Sequence, residues 1–411
     1  MILTQKDFSV AFCHCKKTHC TTIKRIVIEP GCLTGLTQTL EGMGITGKVT
    51  AVYDSNTYYA KSLTRPSGCN EIILPAENLH ADEHGVALLT EQLHNTDVLV
   101  AIGSGTIHDI VRYCASNADI PFVSAPTAAT VDGFASSVAA MTWGGMKKTM
   151  SAAAPILILA DLDVISAAPI HLALAGIGDI LGKYICLADW EIAHTLTGEY
   201  YCPYIADLTR KAVGQVVAGA QKLSAQDKDA YRDLMYALIL SGVAMQLAGN
   251  SRPASGAEHH ISHLLEMKVV GNSDAMHGEK VGAATPFCCD VYHGLAQRED
   301  LSTSVSAYTP IDEGWVHRQF GALADGILEE NQCDCLAGVT PEALTESWDK
   351  VRAILNAVPS GAELRKLLYS LGAKASLEDI GISDEMSETL VTLSPYVRNR
   401  LTMMRILRML R

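Results

Sequence analysis

The stretch TDVLVAIGSGTIHDIVRYCA constrains the fold more than any other part of the chain. Val98 to Ile102 form a continuous apolar strand that passes through Gly103-Ser104-Gly105 straight into a segment of helical spacing. A strand that turns through glycines into a helix aims backbone N–H groups and the positive helix end at one point, which is how a phosphate is received. The spacing is not G-x-G-x-x-G, so a pyrophosphate role for the loop Gly103, Ser104, Gly105, Thr106, Ile107, His108 and Asp109 rests on context. A tight turn with no ligand is the competing reading.

Similar units flank this one. IKRIVIEPG reads as a strand ending in Pro30 and Gly31, followed by a helix-like run from Leu33 to Met43 and a second buried strand, GKVTAVYD. Asp54 closes that strand, where an acidic residue either bonds a nucleotide's ribose hydroxyls or caps the following helix. EIILP makes a third strand, and a helix runs from about His80 to Leu93. IPFVSAPTAATVDGFASS sets Thr127, Thr130, Asp132 and Ser136, with Ala128 and Ala129 among them, at a strand's carboxyl end, the edge of a parallel sheet where ligands sit. Asp132 reads as a ligand contact or an N-cap. WGGMKKTM supplies a Gly-Gly turn and the pair Lys147 and Lys148 before a last strand, Ile156 to Ala160. Alternating strands and helices predict a Rossmann-like parallel α/β domain over residues 1–165. From about Ser166 apolar residues recur at helical spacing, as in YRDLMYALILSGVAMQLA, and residues 166–411 read as an all-α domain.

Chemistry concentrates in Asn250–Lys280, which holds His259, His260, His263 and His277 with Glu258, Glu266, Asp274 and Glu279. If Glu258 to Met267 is helical, His259 and His263 share a face one turn apart, and His260 points elsewhere. His277 follows a loop containing Gly271, Asn272 and Ser273 and opens another helix. Histidines arriving from two elements suit a borderline divalent metal; taken singly, each reads more simply as a surface or core histidine. A carboxylate is offered upstream by Asp179 in AGIGDILGKY, among glycines that permit close approach and one turn before Lys183.

A length of 411 residues is too great for one ordinary core and predicts two or three domains, and the net charge of −13 argues against a nucleic-acid or anionic membrane partner while leaving room for an anionic small substrate. Twelve cysteines fall short of disulfide-scaffold density. MILTQKDFSV has neither a basic nor an apolar leader segment, so a cytoplasmic protein with reduced thiols is expected. Asp161 and Asp163 interrupt the apolar run around them, and no membrane span is expected. FCHCKKTHC gathers Cys13, Cys15 and Cys20 beside His14 and His19, at a spacing that matches no strong zinc pattern.

In this order, GSGTIHD, PTAATVDGFAS, KKT…APILILAD, GIGDILGK, SRPASGAEHHISH and HGEKVG resemble the sn-glycerol-1-phosphate dehydrogenases, especially the bacterial AraM-type branch. The resemblance spans roughly residues 24 to 290, with a weaker echo in PYVRNRLTMMRILRML. That family belongs with glycerol dehydrogenases, iron-dependent alcohol dehydrogenases and dehydroquinate synthases. The resemblance implies a divalent metal, nickel, zinc or iron, held by Asp179, His259 and His277, with His263 and Asp132 on substrate and Asp179 touching both. It implies NAD(H) or NADP(H) on Asp54, Gly103 to Asp109, Thr127 to Thr130 and Ser136. Dihydroxyacetone phosphate and sn-glycerol 1-phosphate are the implied substrates, lipid-precursor synthesis the implied role, and a homodimer or larger assembly the implied state. Gly103-Ser104-Gly105 departs from the three-glycine run of general iron-dependent alcohol dehydrogenases. For the substrate phosphate, Arg252 and Lys148 rank first, with Lys183 and Lys280 behind. His263 is expected to orient substrate and relay a proton, since imidazole titrates near working pH. The alternatives are a glycerol dehydrogenase acting on unphosphorylated polyols, a dehydroquinate synthase-like lyase and, more remotely, a non-enzymatic nucleotide-binding protein.

Overall fold

Six parallel strands and one antiparallel edge strand form the main sheet of the computed structural model, which describes residues 1–410. The strands are β1 (Ile2–Thr4), β2 (Arg25–Glu29), β3 (Val49–Asp54), β4 (Asn70–Leu74), β5 (Val98–Gly103), β6 (Phe122–Pro126), β7 (Val138–Trp143), β8 (Met146–Ser151) and β9 (Leu157–Asp161). Their order across the sheet is β1-β2-β9-β6-β5-β3-β4, with β7 and β8 pairing separately as a hairpin. Every residue of β3, β5, β6 and β9 is buried, as strands covered on both faces must be. The alternation along β5 shows the cause. Val98, Val100 and Ile102 join Leu33, Leu36 and Tyr53 on one face, while Leu99 and Ala101 join Leu89, Ile110 and Phe122 on the other.

The expected strands are all present, and the helices are trimmed versions of those anticipated, at Leu36–Gly42 and Glu83–Thr90. The hairpin turns through Gly144 and Gly145 at φ of 58° and 77°, the two left-handed residues a type I′ turn requires. The fully buried Arg112 joins the helix Gly105–Asn117 to the segment after β6, donating to the carbonyls of Phe134, Ser136 and Val138 at 3.2, 3.1 and 2.9 Å.

Two compact units result: Met1–Ile180 with Asp207–Asn250, and Leu181–Ala206 with the chain from Ser251 onward. The grouping is not a single break near residue 165, because the helix Lys228–Ala248 belongs with the sheet. A Cβ on its Gly242 would lie 3.0 Å from the Ala135 backbone, and its Ser241 hydroxyl donates to Asp132 at 2.8 Å. The second unit is helical throughout. The helix His277–Ala296 packs on Ala257–Glu266, Trp348–Ala357 and Gly361–Leu371. The carboxyl-terminal PYVRNR segment is bound to this unit by Arg405, which is fully buried and donates to Asp334, Asn331 and the Pro395 carbonyl. Ile170–Thr197 is long and apolar enough to cross a membrane by length and composition, and 72% of its most apolar stretch is buried in the fold. Asp179 and Lys183 lie within its most apolar part, so the candidate span is here and not around Asp161.

Close approach of backbones is the main demand at Gly176, where a Cβ would stand 2.1 Å from the Ala129 carbonyl oxygen. Gly176→Ala should therefore cost about 2 kcal/mol by overpacking. Gly214→Ala, with open space at an exposed helix-interior position, should gain roughly 0.5–1 kcal/mol. Urea midpoints of the two variants check the opposite signs.

Candidate active site

The helix Ala257–Glu266 begins without a side-chain cap of its own. Instead the Ala257 N–H donates to Asp189 Oδ2 at 2.9 Å and the Gly256 N–H donates to Glu258 Oε1 at 3.0 Å. Gly256 is required here, since a Cβ would meet Asp189 Oδ2 and the Cys186 Cα at 2.7 Å. Asp189 also accepts from the Tyr292 hydroxyl at 2.6 Å and the Met403 N–H at 2.8 Å. One buried carboxylate thus sets the start of the histidine-bearing helix.

The histidines emerge as the helical spacing requires. His259, His263 and His277 form a triangle, with ring centroids 6.1, 5.3 and 5.9 Å apart. His260 is turned away and fully buried, and neither ring nitrogen has a hydrogen-bond partner. Burial and then the Arg400, Arg398, Arg405 and Arg252 charges hold its pKa well below the usual imidazole value. His277 is the first residue of its helix, whose entry is steadied by Glu279 accepting the Met276 N–H at 2.9 Å.

Two carboxylates decide what the imidazoles present. His259 Nδ1 lies 2.7 Å from Glu258 Oε1, and His277 Nδ1 lies 2.7 Å from Glu266 Oε1. A carboxylate only accepts, so each Nδ1 carries a proton and Nε2 is the nitrogen left to ligate an ion, the standard preparation of a metal-ligating histidine. Asp179 is fully buried on the helix Ile170–Leu181 and accepts the Asp132 N–H at 2.9 Å. One ligand atom each from Asp179, His259 and His277 lies within 4.8 Å of the others. One carboxylate and two oriented imidazoles are a donor set that fits a borderline divalent ion and leaves positions open.

His263 is mostly buried, and its Nδ1 has no hydrogen-bond partner. Burial first, and Arg398 second, press its pKa well below the imidazole range against the pull of Glu266. The expectation that it titrates near working pH gives way to a neutral ring. Asp132 follows the cap residue Val131 of a short turn, so it is not an N-cap, and its Oδ2 accepts from Ser241.

At the sheet's edge, Asp54 does cap the short helix after β3, accepting the Thr57 N–H at 2.9 Å and hydroxyl at 2.8 Å. It also lies against Gly103, where an added Cβ would meet Asp54 Oδ2 at 3.3 Å. Ser104 precedes the helix Gly105–Asn117 without making a side-chain cap, so its hydroxyl does not occupy the first-turn N–H groups. Within the loop, Ile107 is core. The His108 ring packs 4.9 Å from Phe134 and donates from Nδ1 to the Ser104 carbonyl, with burial lowering its pKa to about 3. Asp109 lies 3.8 Å from Arg112. Thr127 donates its N–H to the Gly103 carbonyl, Thr130 is half-exposed beside buried Ala128 and Ala129, and Ser136 Oγ accepts the Val138 N–H.

The cations ranked for the phosphate are placed differently from one another. Arg252 forks onto Glu199 and donates to the Leu401 carbonyl, Lys183 donates to the Ala254 carbonyl, Lys280 is buried, and Lys148 is exposed on β8. Arg398 lies in the PYVRNR segment, far from the histidines in sequence, yet its charge acts on both His263 and Glu266. The only sequence signal for Asp189 is an acidic residue inside the apolar run ICLADW.

The chain is similar to known proteins along most of its length. Residues 27–169 match the family described as iron-containing alcohol dehydrogenase. It is 35% identical over 315 residues to the glycerol-1-phosphate dehydrogenase, NAD(P)+, of Bacillus licheniformis, covering 76% of this chain and 68% of that one. It is 32% identical over 369 residues to the like-named protein of Halalkalibacterium halodurans, covering 87% and 85%. A probable glycerol dehydrogenase from Sinorhizobium meliloti superposes with a TM-score of 0.62 at 17% identity over 93% of this chain and 94% of that one, a likeness of fold.

Two outcomes follow from the carboxylate supports. Glu266→Ala should lower affinity for a divalent ion roughly 10- to 100-fold by freeing the His277 ring, read by competition with a chromophoric chelator. Burial, with a smaller push from Glu258, raises the Asp189 carboxyl from 3.8 to about 7. Between those values the folded protein holds a proton that the unfolded chain releases, so this group's contribution to stability falls as pH rises through the window. The unfolding free energy of the parent minus that of Asp189→Asn should decline from pH 4 to pH 7 in urea melts.

Proposed function

The chain belongs to the glycerol-1-phosphate dehydrogenase family, and from that membership we propose that it reduces dihydroxyacetone phosphate to sn-glycerol 1-phosphate, reversibly, with NADH or NADPH. The observation that carries the reading is the donor set of Asp179, His259 and His277, two of its members held by carboxylates in the ligating tautomer. These three residues would hold a nickel or zinc ion, with iron equally compatible in donor chemistry. When bound, such an ion supplies Lewis-acid polarisation of the ketone.

The remaining steps belong to the chain's own side chains. A bound nicotinamide would supply the hydride, and what is asked of the chain is to hold the ketone in place and to bring a proton to the oxygen that becomes the product hydroxyl. His263, neutral at working pH, would donate a hydrogen bond to a substrate oxygen through one nitrogen and accept a proton at the other. It orients and relays, and does not serve as a standing acid. Asp132, braced by Ser241, would accept from a substrate hydroxyl. The first turn after Gly103 would receive the cofactor pyrophosphate, and Asp54 the ribose hydroxyls.

For the substrate phosphate, Arg398 joins Arg252 and Lys148 as a candidate and ranks ahead of both. Its charge acts on His263, the residue read as touching substrate, whereas Lys148 is exposed on β8. We further read the product as a precursor for glycerophospholipid or ether-lipid synthesis in the cytoplasm and the enzyme as a homodimer, an assembly that light scattering tests.

The purified protein should oxidise NADH steadily with dihydroxyacetone phosphate and far more slowly with dihydroxyacetone. Chelation should abolish the rate and metal should restore it, and His259→Ala should lose about a thousandfold. Equal turnover of both ketones would favour a glycerol dehydrogenase, and no net NADH consumption would favour a lyase. Arg398→Ala should raise KM for the phosphorylated ketone roughly 10- to 100-fold, by loss of a charged hydrogen bond, with little change for the unphosphorylated one.

A further inference from the structure

The cysteine-rich amino terminus has no part in the chemistry above, yet its side chains are arranged with care. Val10 and His19 exchange both backbone hydrogen bonds at 2.9 Å, closing the segment between them into a hook. Within it, the Lys16 N–H donates to the Cys13 carbonyl, and Lys16 adopts φ of 66°, so the chain reverses immediately after Cys15. The reversal sets Cys15 Sγ 3.2 Å from His19 Nε2. His19 is almost fully buried, and its Nδ1 lies 2.9 Å from the Leu247 carbonyl. A carbonyl only accepts, so Nδ1 carries the proton and Nε2 turns its lone pair toward the sulfur.

A fourth donor comes from far along the chain. Cys202 is fully buried, and its carbonyl accepts the Ala206 N–H that opens the helix Pro203–Gly219. Its sulfur therefore lies near the positive end of a long helix, which favours an anionic ligand. One ligand atom each from Cys13, Cys15, His19 and Cys202 lies within 4.8 Å of all the others. Zn–S bonds of about 2.3 Å and Zn–N bonds of about 2.1 Å give ligand-to-ligand edges of roughly 3.5–3.8 Å in a tetrahedron, so shifts on the order of 1 Å close the group on an ion.

We propose that Cys13, Cys15, His19 and Cys202 bind a structural zinc ion, distinct in donors and in role from the ion of the active site. Three thiols and one imidazole fill a tetrahedron and leave no open position, the mark of a structural site and not a reacting one. Binding releases the three thiol protons to solvent and leaves a net charge of −1, which the adjacent exposed Lys16 and Lys17 offset. Cys20 and His14, both exposed, are not members of the group. No pattern of neighbours in sequence reveals the site, because Cys202 arrives from a distant turn.

The sulfur donors make the test independent of the active-site reading. The intact purified protein is treated with a mercurial that attacks thiolates, and zinc release is followed with a metallochromic indicator. One zinc per chain should be released from the parent protein and from His259→Ala, and none from the double variant Cys13→Ser/Cys15→Ser. Cobalt-loaded parent protein should show intense thiolate-to-cobalt charge-transfer absorption that His259→Ala keeps and the cysteine variant loses. Absence of mercurial-releasable zinc together with absence of the charge-transfer band in parent protein overturns the proposal, as does a disulfide among the three cysteines in the freshly purified chain by mass spectrometry.

Discussion

Everything proposed for the active site depends on two short contacts between a carboxylate and an imidazole. A histidine left alone is divided between two tautomers and many ring orientations. Here Glu258 and Glu266 each accept from an Nδ1–H at 2.7 Å, and that choice leaves Nε2 of His259 and His277 as the basic nitrogens. Without it, three histidines within 6.1 Å of one another would be an aromatic cluster. With it, His259 and His277 present Nε2, and Asp179 adds the charge that a divalent ion needs.

The supports of those contacts extend outward through buried polar groups. Glu258 also accepts the Gly256 N–H, Asp189 accepts the next one, and Tyr292 and Met403 hold Asp189 in turn. Asp189 is fully buried and its carboxyl is raised to about 7, so the start of the histidine helix is sensitive to pH. On the sheet side, Asp132 donates its N–H to Asp179 and is itself braced by Ser241 from the helix Lys228–Ala248. The same logic, one nitrogen occupied so that the other is offered, recurs at His19, where a backbone carbonyl takes the place of the carboxylate.

Local signals were legible in the sequence and distant ones were not. Val98 to Ile102 read as a buried strand because an unbroken apolar run is a property of adjacent residues, and the type I′ turn at Gly144-Gly145 is announced by its two glycines. His259 and His263 fall on one face by helical spacing alone. Asp179 and His277 could be joined to them only through family resemblance, since no short-range rule links positions so far apart. Glu266 was visible as a neighbour but its role was not, because spacing does not say which ring a carboxylate meets. Asp189, Arg398 and Cys202 act across long stretches of chain, and each looks in isolation like one polar residue in a core or a loop. His263 shows the remaining difficulty: its identity as an imidazole suggests titration near neutrality, while its burial beside Arg398 keeps it uncharged.

The most direct test is a crystal of the metal-loaded protein with anomalous data collected on both sides of the bound metal's absorption edge. The account predicts an anomalous peak bonded to Nε2 of His259, Nε2 of His277 and a carboxylate oxygen of Asp179, with Glu258 and Glu266 still on the two Nδ1 atoms. A peak ligated through Nδ1, or one that omits any of these three residues, would contradict it.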